Sequence, residues 1–161
     1  MAVGGAGRDR YKRPESVLVV VYARSGSVLM LRRVDHECFW QSVTGSLLWD
    51  DELPEQAARR ELAEETGLAG GYRLRDWRRS QRFSILPAWR GRFAPGIDTN
   101  LEHLFSAELP RPVPIVLSPQ EHSEYEWLPF DEAAQRATSW TNREAIDALA
   151  ARLSGRTSRG A

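Results

Sequence analysis

Runs of apolar residues near the N-terminus predict the centre of a β-sheet. Residues 16–23 (SVLVVVYA) form an unbroken and largely β-branched run, which is typical of a strand buried on both faces. Residues 28–33 (VLMLRR) are again mostly apolar, and the Ser25-Gly26 pair between the two runs has turn character. The two runs therefore predict a β-hairpin.

The second half of the chain has a less regular pattern. Residues 101–109 (LEHLFSAEL) predict a strand, and residues 124–128 (EYEWL) predict another because aromatic and acidic residues alternate there. Residues 83–93 indicate strand structure interrupted by Pro87. The many arginines of residues 73–82 predict a solvated surface.

One central helix is predicted between the two sets of strands. Pro54 suits a first helical position, and Glu55 places negative charge where the helix dipole favours it. Residues 56–65 are rich in good helix formers, and Gly67 suits the position that follows the last turn. We expect this helix to end close to residue 65.

Two further helices are expected near the C-terminus. Asp131 can cap a short helix over residues 132–137. Thr141 and Glu144 have the spacing of a capping box, which predicts a last helix over residues 141–153. Strands before and after a central helix, with helices at the end, define a mixed α/β domain.

The composition indicates a single folded domain. A chain of 161 residues with a hydrophobic share of 42% and six tryptophans can bury a sizeable core. We place this domain at residues 11–153. We expect a Gly-rich, disordered tail over residues 1–10 and a polar tail over residues 154–161.

Charge and cysteine content exclude several classes of protein. The formal net charge is zero, so electrostatics favour neither a nucleic acid polymer nor an anionic membrane as partner. Cys38 is the only cysteine, which excludes an intrachain disulfide and a cysteine-based zinc site. The chain contains no apolar run of about 18 residues and no signal-peptide pattern, so we expect a cytoplasmic protein. The oligomeric state stays open.

An acidic flank on the central helix is the candidate for chemistry. Glu61 and Glu65 are four residues apart, and Glu64 is three residues from Glu61, so all three project from one side. Like charges at this spacing destabilise a helix by roughly 0.2–0.5 kcal/mol per pair. A divalent cation such as Mg²⁺ would offset that repulsion, although a solvated acidic face is the simpler alternative.

The spacing around these glutamates resembles a known motif. Glu52, Arg60-Glu61-Leu62, Glu64-Glu65 and Gly67-Leu68 follow the Nudix box, written G-x5-E-x7-R-E-U-x-E-E-x-G-U with U apolar. The match is complete from Glu52 onward. Upstream, six residues separate Gly45 from Glu52, whereas the motif has five. The extra residue raises the question of whether Glu52 reaches the position of the family's first glutamate.

Other segments are similar to one group of Nudix hydrolases, the bacterial dihydroneopterin triphosphate pyrophosphatases, also described as dATP pyrophosphohydrolases. This resemblance implies an α/β/α sandwich with a mixed sheet, and Mg²⁺-dependent release of pyrophosphate from a small-molecule triphosphate in folate synthesis. Mn²⁺ is the alternative ion. The segments that carry the resemblance are YKRPESVLVVVYA, VLMLRR, FWQSVTGS, RFAPG and SWTNREAI.

The resemblance also implies roles for individual residues. Metal ligands are expected at Glu61, Glu65 and Glu121, and Glu64 is expected to be a further ligand or the base, so these four carboxylates form the predicted catalytic group. Arg60 is expected to orient a carboxylate of the box. No histidine has a second histidine at ligand spacing, so His36, His103 and His122 are expected to be packing or surface residues. Substrate contacts are expected at Lys12, Arg33, Thr44, Phe83, Ser84, Ile85, Leu86 and Ser139.

Three other functions remain open at this point. The preferred substrate could be dATP, another nucleotide or a damaged deoxynucleotide. The longer loop between Gly45 and Glu52 keeps open a catalytically silent Nudix-fold module that only binds nucleotides. A plain interaction domain is supported only by the arginines of residues 73–82.

Overall fold

The predicted hairpin lies at the centre of the sheet. In the computed structural model, which describes residues 5–157, β1 (Glu15–Ala23) and β2 (Ser27–Arg33) pair in antiparallel fashion next to the turn. Gly26 lies in that turn with φ 108°, a backbone conformation that glycine adopts without strain. The hairpin prediction is confirmed.

The remaining elements complete one mixed sheet of seven strands with helices around it. The strands are β3 (Trp40–Gln41), β4 (Val43–Ser46), β5 (Arg73–Ser84), β6 (Thr99–Leu109) and β7 (His122–Pro129). The helices are α1 (Gly5–Arg8), α2 (Pro54–Thr66), α3 (Phe130–Arg136) and α4 (Trp140–Thr157), and a 3₁₀ helix covers Pro87–Arg92.

Strand β1 organises the sheet because it has neighbours on both edges. Strand β6 runs parallel to it along its whole length, and β5 pairs with the far edge of β6. On the other edge, β4 pairs with the first half of β1 and β2 with its end. Strand β7 pairs with the outer edge of β2, so the β2–β7 register brings the start of β7 beside Arg33.

Each face of the sheet has its own hydrophobic core. Val17, Val19 and Val21 of β1 pack on the side of α2, and Leu18 and Val20 pack on the side of α3 and α4. All five are essentially buried, which explains the unbroken apolar run in the sequence. Helices therefore lie on both faces of a mixed sheet, as the sequence analysis expects.

Helix α2 has the local signals that predicted it. Pro54 is its first residue, and the Gln56 side chain accepts a hydrogen bond from the Leu53 N–H at 2.9 Å. Gly67 ends the helix in the left-handed region at φ 76°. Among the residues that α2 buries, Leu62 packs into the core against β1. Helix α2 therefore presents one apolar side to the sheet and leaves its acidic flank at the sheet margin.

The arginine-rich residues 73–82 are largely exposed, as the prediction of a solvated surface requires, but they also form a strand that the sequence analysis did not predict. Arg73–Ser84 forms β5, the edge strand of the sheet. Its register shifts between Asp76 and Ser80, where Arg78 adopts φ 52°. Charged residues and bulges are common devices on edge strands, which hides the strand pattern in the sequence. The strand predicted beyond Pro87 is replaced by the 3₁₀ helix.

The C-terminal caps differ from those predicted. Helix α3 begins at Phe130, so Asp131 lies in its first turn and does not cap it. Helix α4 begins at Trp140, where the Ser139 hydroxyl accepts the Asn142 N–H at 3.2 Å. Thr141, which the sequence predicted as the cap, is buried.

Helical structure extends beyond residues 11–153 at both ends. Gly5–Arg8 forms a helical turn within the stretch 1–10 for which we expected disorder, and the Tyr11 N–H donates to the Arg8 carbonyl at 2.9 Å. Residues 1–4 lie outside the described chain. Helix α4 continues into the predicted 154–161 tail as far as Thr157, and residues 158–161 are again outside the described chain. No helix within residues 5–157 combines the length and the apolar character needed to cross a membrane.

Candidate active site

Two of the three glutamates on the α2 flank are buried against the sheet. Glu61 is 6% exposed and Glu65 is 3% exposed, whereas Glu64 faces solvent. The Thr44 N–H of β4 donates to Glu65 Oε2 at 3.1 Å. A Cβ atom at Gly45 would lie 2.0 Å from Glu61 Oε1, so only glycine leaves room for this carboxylate. Strand β4 therefore positions both buried glutamates.

Arg60 connects the carboxylates of the motif. Its guanidinium binds Glu52 through two hydrogen bonds, Nε to Oε2 and Nη2 to Oε1, both 2.8 Å long. Nη1 donates to Glu61 Oε1 at 2.8 Å and to Glu64 Oε2 at 3.2 Å. These carboxylates raise the pKa of Arg60 above its ordinary value. Arg60 thus orients the motif glutamates, as the sequence analysis expects.

The longer loop before Glu52 does not prevent this contact. Asp51 adopts φ 56°, and its N–H donates to the Trp49 carbonyl at 2.9 Å, which forms a tight turn. The Trp49 indole N–H donates to the Tyr11 carbonyl at 2.7 Å and attaches the loop to the N-terminal segment. Glu52 then accepts the Leu48 N–H at 3.0 Å in addition to Arg60. The turn accommodates the extra residue.

A group of possible metal ligands forms where α2 meets the start of β7. One ligand atom from each of Glu65, Glu121 and His122 lies within 4.8 Å of the other two. The β2–β7 pairing places His122 opposite Arg33, and the Val34 N–H donates to the Glu121 carbonyl at 3.0 Å. The sheet register thus brings a loop glutamate to the helix, which fits the expectation for Glu121.

The charges of this group suit a divalent cation. Burial is the largest cause that raises the pKa of Glu61 to about 7, and the neighbouring Glu64 and Glu121 raise it further, against Arg60. Burial, Glu61 and Glu121 likewise raise the pKa of Glu65 well above its ordinary value. A cation at this position would relieve the repulsion and reverse these shifts. Glu61 lies outside the group of Glu65, Glu121 and His122 but contributes to the electrostatic potential there.

His122 is a member that the sequence analysis missed. It is 2% exposed, its Nε2 lies 3.1 Å from Gln41 Nε2, and its Nδ1 has no hydrogen-bond partner among the described residues. Burial and then Arg33 lower the pKa of His122 to about 4, so the ring is neutral near pH 7 and able to bind a metal. Its position directly after Glu121 was the available signal.

Two of the predicted substrate cations lie beside the carboxylates. The charge of Arg33 opposes the rise in the pKa of Glu65, and the charges of Glu61 and Glu121 act to raise the pKa of Lys12. The pKa of Lys12 is nevertheless lowered, first by desolvation and then by Arg92 and Arg33. Lys12 and Arg33 thus form a cationic border to the acidic group.

The other predicted substrate residues have different positions. The Thr44 hydroxyl donates to the Val17 carbonyl at 2.9 Å, so its backbone N–H, not its hydroxyl, serves the carboxylate group. The segment 83–86 runs from the end of β5 into the loop beyond, with Ile85 buried and Leu86 exposed. Ser139 caps α4 and connects through Asn142, which bonds Ser42, towards β4. Neither segment 83–86 nor Ser139 makes a hydrogen bond to the carboxylate group.

Comparisons with known proteins agree with this arrangement. A family model described as the NUDIX domain matches residues 12–149. The chain belongs to the Nudix family. Nudix hydrolases generally use a divalent metal ion, and the group of Glu65, Glu121 and His122 is chemically suited to hold one.

The chain is also similar to characterised members of this family. It is 45% identical over 141 residues to the dihydroneopterin triphosphate diphosphatase of Escherichia coli (strain K12), covering 85% of this chain and 92% of that protein. The Haemophilus influenzae enzyme of the same name is 40% identical over 141 residues, covering 85% and 87%. A solved structure of the E. coli dihydroneopterin triphosphate pyrophosphohydrolase superposes with a TM-score of 0.80 at 44% identity, covering 85% and 94%. The predicted family and fold are confirmed.

Proposed function

We propose that this chain hydrolyses dihydroneopterin triphosphate to dihydroneopterin monophosphate and pyrophosphate, a reaction of folate synthesis. The names of the relatives at 45% and 40% identity support the substrate. The observation that carries the chemistry is the group of Glu65, Glu121 and His122 within 4.8 Å, beside Glu61 and a cationic border. Crowded carboxylates next to cations are suited to a metal ion and a polyphosphate together.

Glu61, Glu65 and Glu121 are the proposed ligands of Mg²⁺, with His122 as an additional donor and Mn²⁺ as the alternative ion. Bound there, the ion supplies positive charge that neutralises phosphate oxygens and orients the triphosphate. Arg60 holds Glu61 in place from the opposite side through its 2.8 Å hydrogen bond. Thr44 does the same for Glu65 through its backbone N–H.

Glu64 is the proposed general base. Its side chain is 54% exposed, and its only hydrogen bond to residues 5–157 is the 3.2 Å contact with Arg60, so it can turn towards a water molecule. The water oxygen attacks the phosphorus of the phosphate group that stays on the pterin. The bond from that phosphorus to the oxygen of the departing pyrophosphate breaks, and the proton of the water passes to the Glu64 carboxylate. Lys12 and Arg33 bind the phosphates. We assign the remainder of the substrate to Phe83, Ser84, Ile85, Leu86 and Ser139.

The first test measures pyrophosphate release from dihydroneopterin triphosphate, with and without Mg²⁺, for the wild type and four variants. Glu61→Gln and Glu65→Gln are expected to lose more than about 100-fold in turnover, since loss of a ligand should exceed the 10–100-fold typical of outer-shell groups. Glu55→Gln is the matched control, because Glu55 lies on the same helix in an exposed pair with Arg59. Wild-type rates in both ligand variants would overturn the metal assignment.

The fourth variant, Glu64→Gln, separates the base from the ligands. It is expected to lose turnover by about 10²–10⁴-fold, the range for a general base, while calorimetry shows unchanged Mg²⁺ binding. Loss of Mg²⁺ binding in this variant would instead make Glu64 a ligand.

Substrate choice is tested with dATP and dGTP beside the pterin. Fastest release from the pterin supports the proposed substrate, whereas faster release from a nucleotide retains the chemistry and replaces the substrate. Absence of Mg²⁺-dependent turnover with all three would favour a nucleotide-binding module. The cytoplasmic location stays a prediction.

A further inference from the structure

Asp35 connects two arginines from distant parts of the chain. Its carboxylate accepts two hydrogen bonds from Arg33, Nε to Oδ1 at 2.7 Å and Nη2 to Oδ2 at 2.5 Å. Oδ2 also accepts a hydrogen bond from Arg92 Nη2 at 2.8 Å. The two arginines lower the pKa of Asp35 well below its usual range. By contrast, the exposed Arg136–Glu126 ion pair rests on one contact.

The surroundings hold these groups in one arrangement. The Arg33 guanidinium lies 4.5 Å from the centre of the Trp89 ring, and Trp89 packs edge-to-face with Phe39 at 5.3 Å. The Lys12 N–H donates to the Arg92 carbonyl at 2.8 Å, which joins the N-terminal segment to the 3₁₀ helix. The end of β2, the 3₁₀ helix and the segment that precedes β1 thus meet at one point.

Three cations at this point retain free hydrogen-bond donors. Asp35 occupies Nε and Nη2 of Arg33 and Nη2 of Arg92, which leaves Nη1 of both arginines without a partner among residues 5–157. Lys12 Nζ likewise has no hydrogen bond to the described residues. The charge of Arg33 acts on Glu65, and the charges of Glu61 and Glu121 act on Lys12. Arg92 is joined to both cations, through Asp35 to Arg33 and through its carbonyl to the Lys12 N–H.

We propose that Arg92 is a third phosphate-binding cation of the active site and that Asp35 is the positioning residue that orients Arg33 and Arg92 towards the triphosphate. This inference rests on the proposed function, because it assigns residues to the same site. A triphosphate carries more negative charge than Lys12 and Arg33 can neutralise. A guanidinium already held by a carboxylate also loses less side-chain conformational entropy when it binds phosphate. The alternative is an ordinary surface ion pair, which contributes little to stability.

The decisive measurement is binding of inorganic tripolyphosphate by calorimetry to the wild type, Arg92→Gln, Asp35→Asn and Asp35→Glu. Tripolyphosphate carries only the phosphates, so the result does not depend on which heterocycle the enzyme prefers. The Arg32–Glu124 pair provides matched controls, Arg32→Gln and Glu124→Gln, since it is a 2.8 Å pair between β2 and β7. Melting temperatures of all variants identify any loss of folding.

Arg92→Gln is expected to weaken tripolyphosphate binding about tenfold, which corresponds to 1.4 kcal/mol. Asp35→Asn is expected to weaken it several-fold, and Asp35→Glu to restore part of the loss. If Asp35 acted only through its charge, Asp35→Asn would instead bind tripolyphosphate more tightly, because removing a negative charge favours anion binding. In steady-state kinetics, Arg92→Gln and Asp35→Asn should raise the KM for the triphosphate substrate with little change in kcat.

Several results would overturn the proposal. These are tighter binding by Asp35→Asn, wild-type binding by Arg92→Gln, equal losses in the control variants, and absence of tripolyphosphate binding by the wild type. If the wild type binds tripolyphosphate through Arg92 but does not hydrolyse the pterin, only the proposed substrate fails.

Discussion

Buried glutamates lie on both faces of the sheet, and their partners differ. On the α2 face, Glu61 and Glu65 lie beside Arg60, Glu121 and His122. On the α4 face, Glu102 of β6 is 4% exposed, accepts a 3.2 Å hydrogen bond from Gln81 and bonds the Thr141 side chain, all neutral partners.

The comparison shows that burial alone does not make a reactive carboxylate. Desolvation is the largest cause that raises the pKa of Glu61, Glu65 and Glu102. Among residues 5–157, it is the α2 face on which further carboxylates and cations surround the buried glutamates, which provides a position for a metal and a polyphosphate. On the α4 face, neutral donors hold one carboxyl that favours its protonated form. We therefore expect substitutions on the α2 face to affect catalysis and those on the α4 face to affect stability.

Outside the proposed metal ligands and base, the largest effect is expected for Gly45→Ala on the α2 face. The new Cβ would lie 2.0 Å from Glu61 Oε1, so the carboxylate must leave its position. Turnover should fall by at least about 10–100-fold, as when groups that orient metal ligands are lost. Overpacking should also cost about 1–3 kcal/mol in the free energy of unfolding, measured with urea. Gly70→Ala, where a Cβ meets nothing within 4 Å, is the control, and equal behaviour of the two variants would contradict the prediction.

Arg60→Gln should lower both stability and turnover. It removes the bidentate contact with Glu52 and the 2.8 Å contact with Glu61, and leaves those carboxylates to repel one another. Hydrogen bonds to charged groups contribute about 1.5–3 kcal/mol, and for this partly exposed site we expect a loss of about 2 kcal/mol in chemical denaturation. The adjacent Arg59→Gln, which loses one exposed pair with Glu55, should cost less than about 0.5 kcal/mol. Similar losses in the two variants would show that Arg60 has no special role.

Glu102→Gln should stabilise the protein near neutral pH without changing turnover. Burial raises the pKa of Glu102 in the folded state above its ordinary value of 4.5. Below that value both folded and unfolded states hold the proton. As pH rises from there through the folded pKa, the unfolded state ionises first, so the wild type loses stability that the variant keeps.

The difference in the free energy of unfolding between Glu102→Gln and the wild type should therefore be near zero below pH 4.5. It should reach about 1 kcal/mol at neutral pH, within the range for a poorly compensated buried polar group. Urea unfolding across this pH range measures it. Glu132→Gln, at an exposed residue in the first turn of α3, is the control. Lower stability of Glu102→Gln at every pH would mean that the ionised carboxylate is a stabilising group.

The smallest effect is expected in the loop that leads to Glu52. Asp51 has φ 56°, so Asp51→Gly should relieve strain of up to about 1 kcal/mol and leave turnover unchanged. Asp50→Gly, at a neighbouring position without positive φ, should instead cost about 0.5–1 kcal/mol through backbone entropy. Thermal unfolding of the pair measures both. Reduced turnover in Asp51→Gly would show that the turn itself positions Glu52.

Much of the site could be predicted because its signals are local. Helical geometry alone places Glu61, Glu64 and Glu65 on one flank, and Pro54 and Gly67 mark the ends of α2. The motif spacing also identified Arg60 as the residue that orients a carboxylate. The apolar run of β1 predicted a strand buried on both faces, which is also a local signal. Successive side chains of a strand point to opposite faces, so a continuous apolar run needs a hydrophobic core on each face.

Other features depended on pairing between distant segments. The register of β2 with β7 brings Glu121 and His122 to Glu65, and neither helical nor strand spacing contains that information. The bonds of Asp35 to Arg33 and Arg92 likewise require the 3₁₀ helix to pack on the end of β2. Strand β5 was missed because an edge strand tolerates charge on both faces.

By itself, the sequence determined the helix, the double-sided strand, the motif carboxylates and hence the family, since these depend on contacts within a few residues or on fixed spacing. The family resemblance pointed to Glu121, Lys12 and Arg33, but only the tertiary structure shows how they come to lie beside the helix glutamates and that His122 joins the group. Side chains that are far apart in the chain come into contact only once the strands have paired in their final order and register.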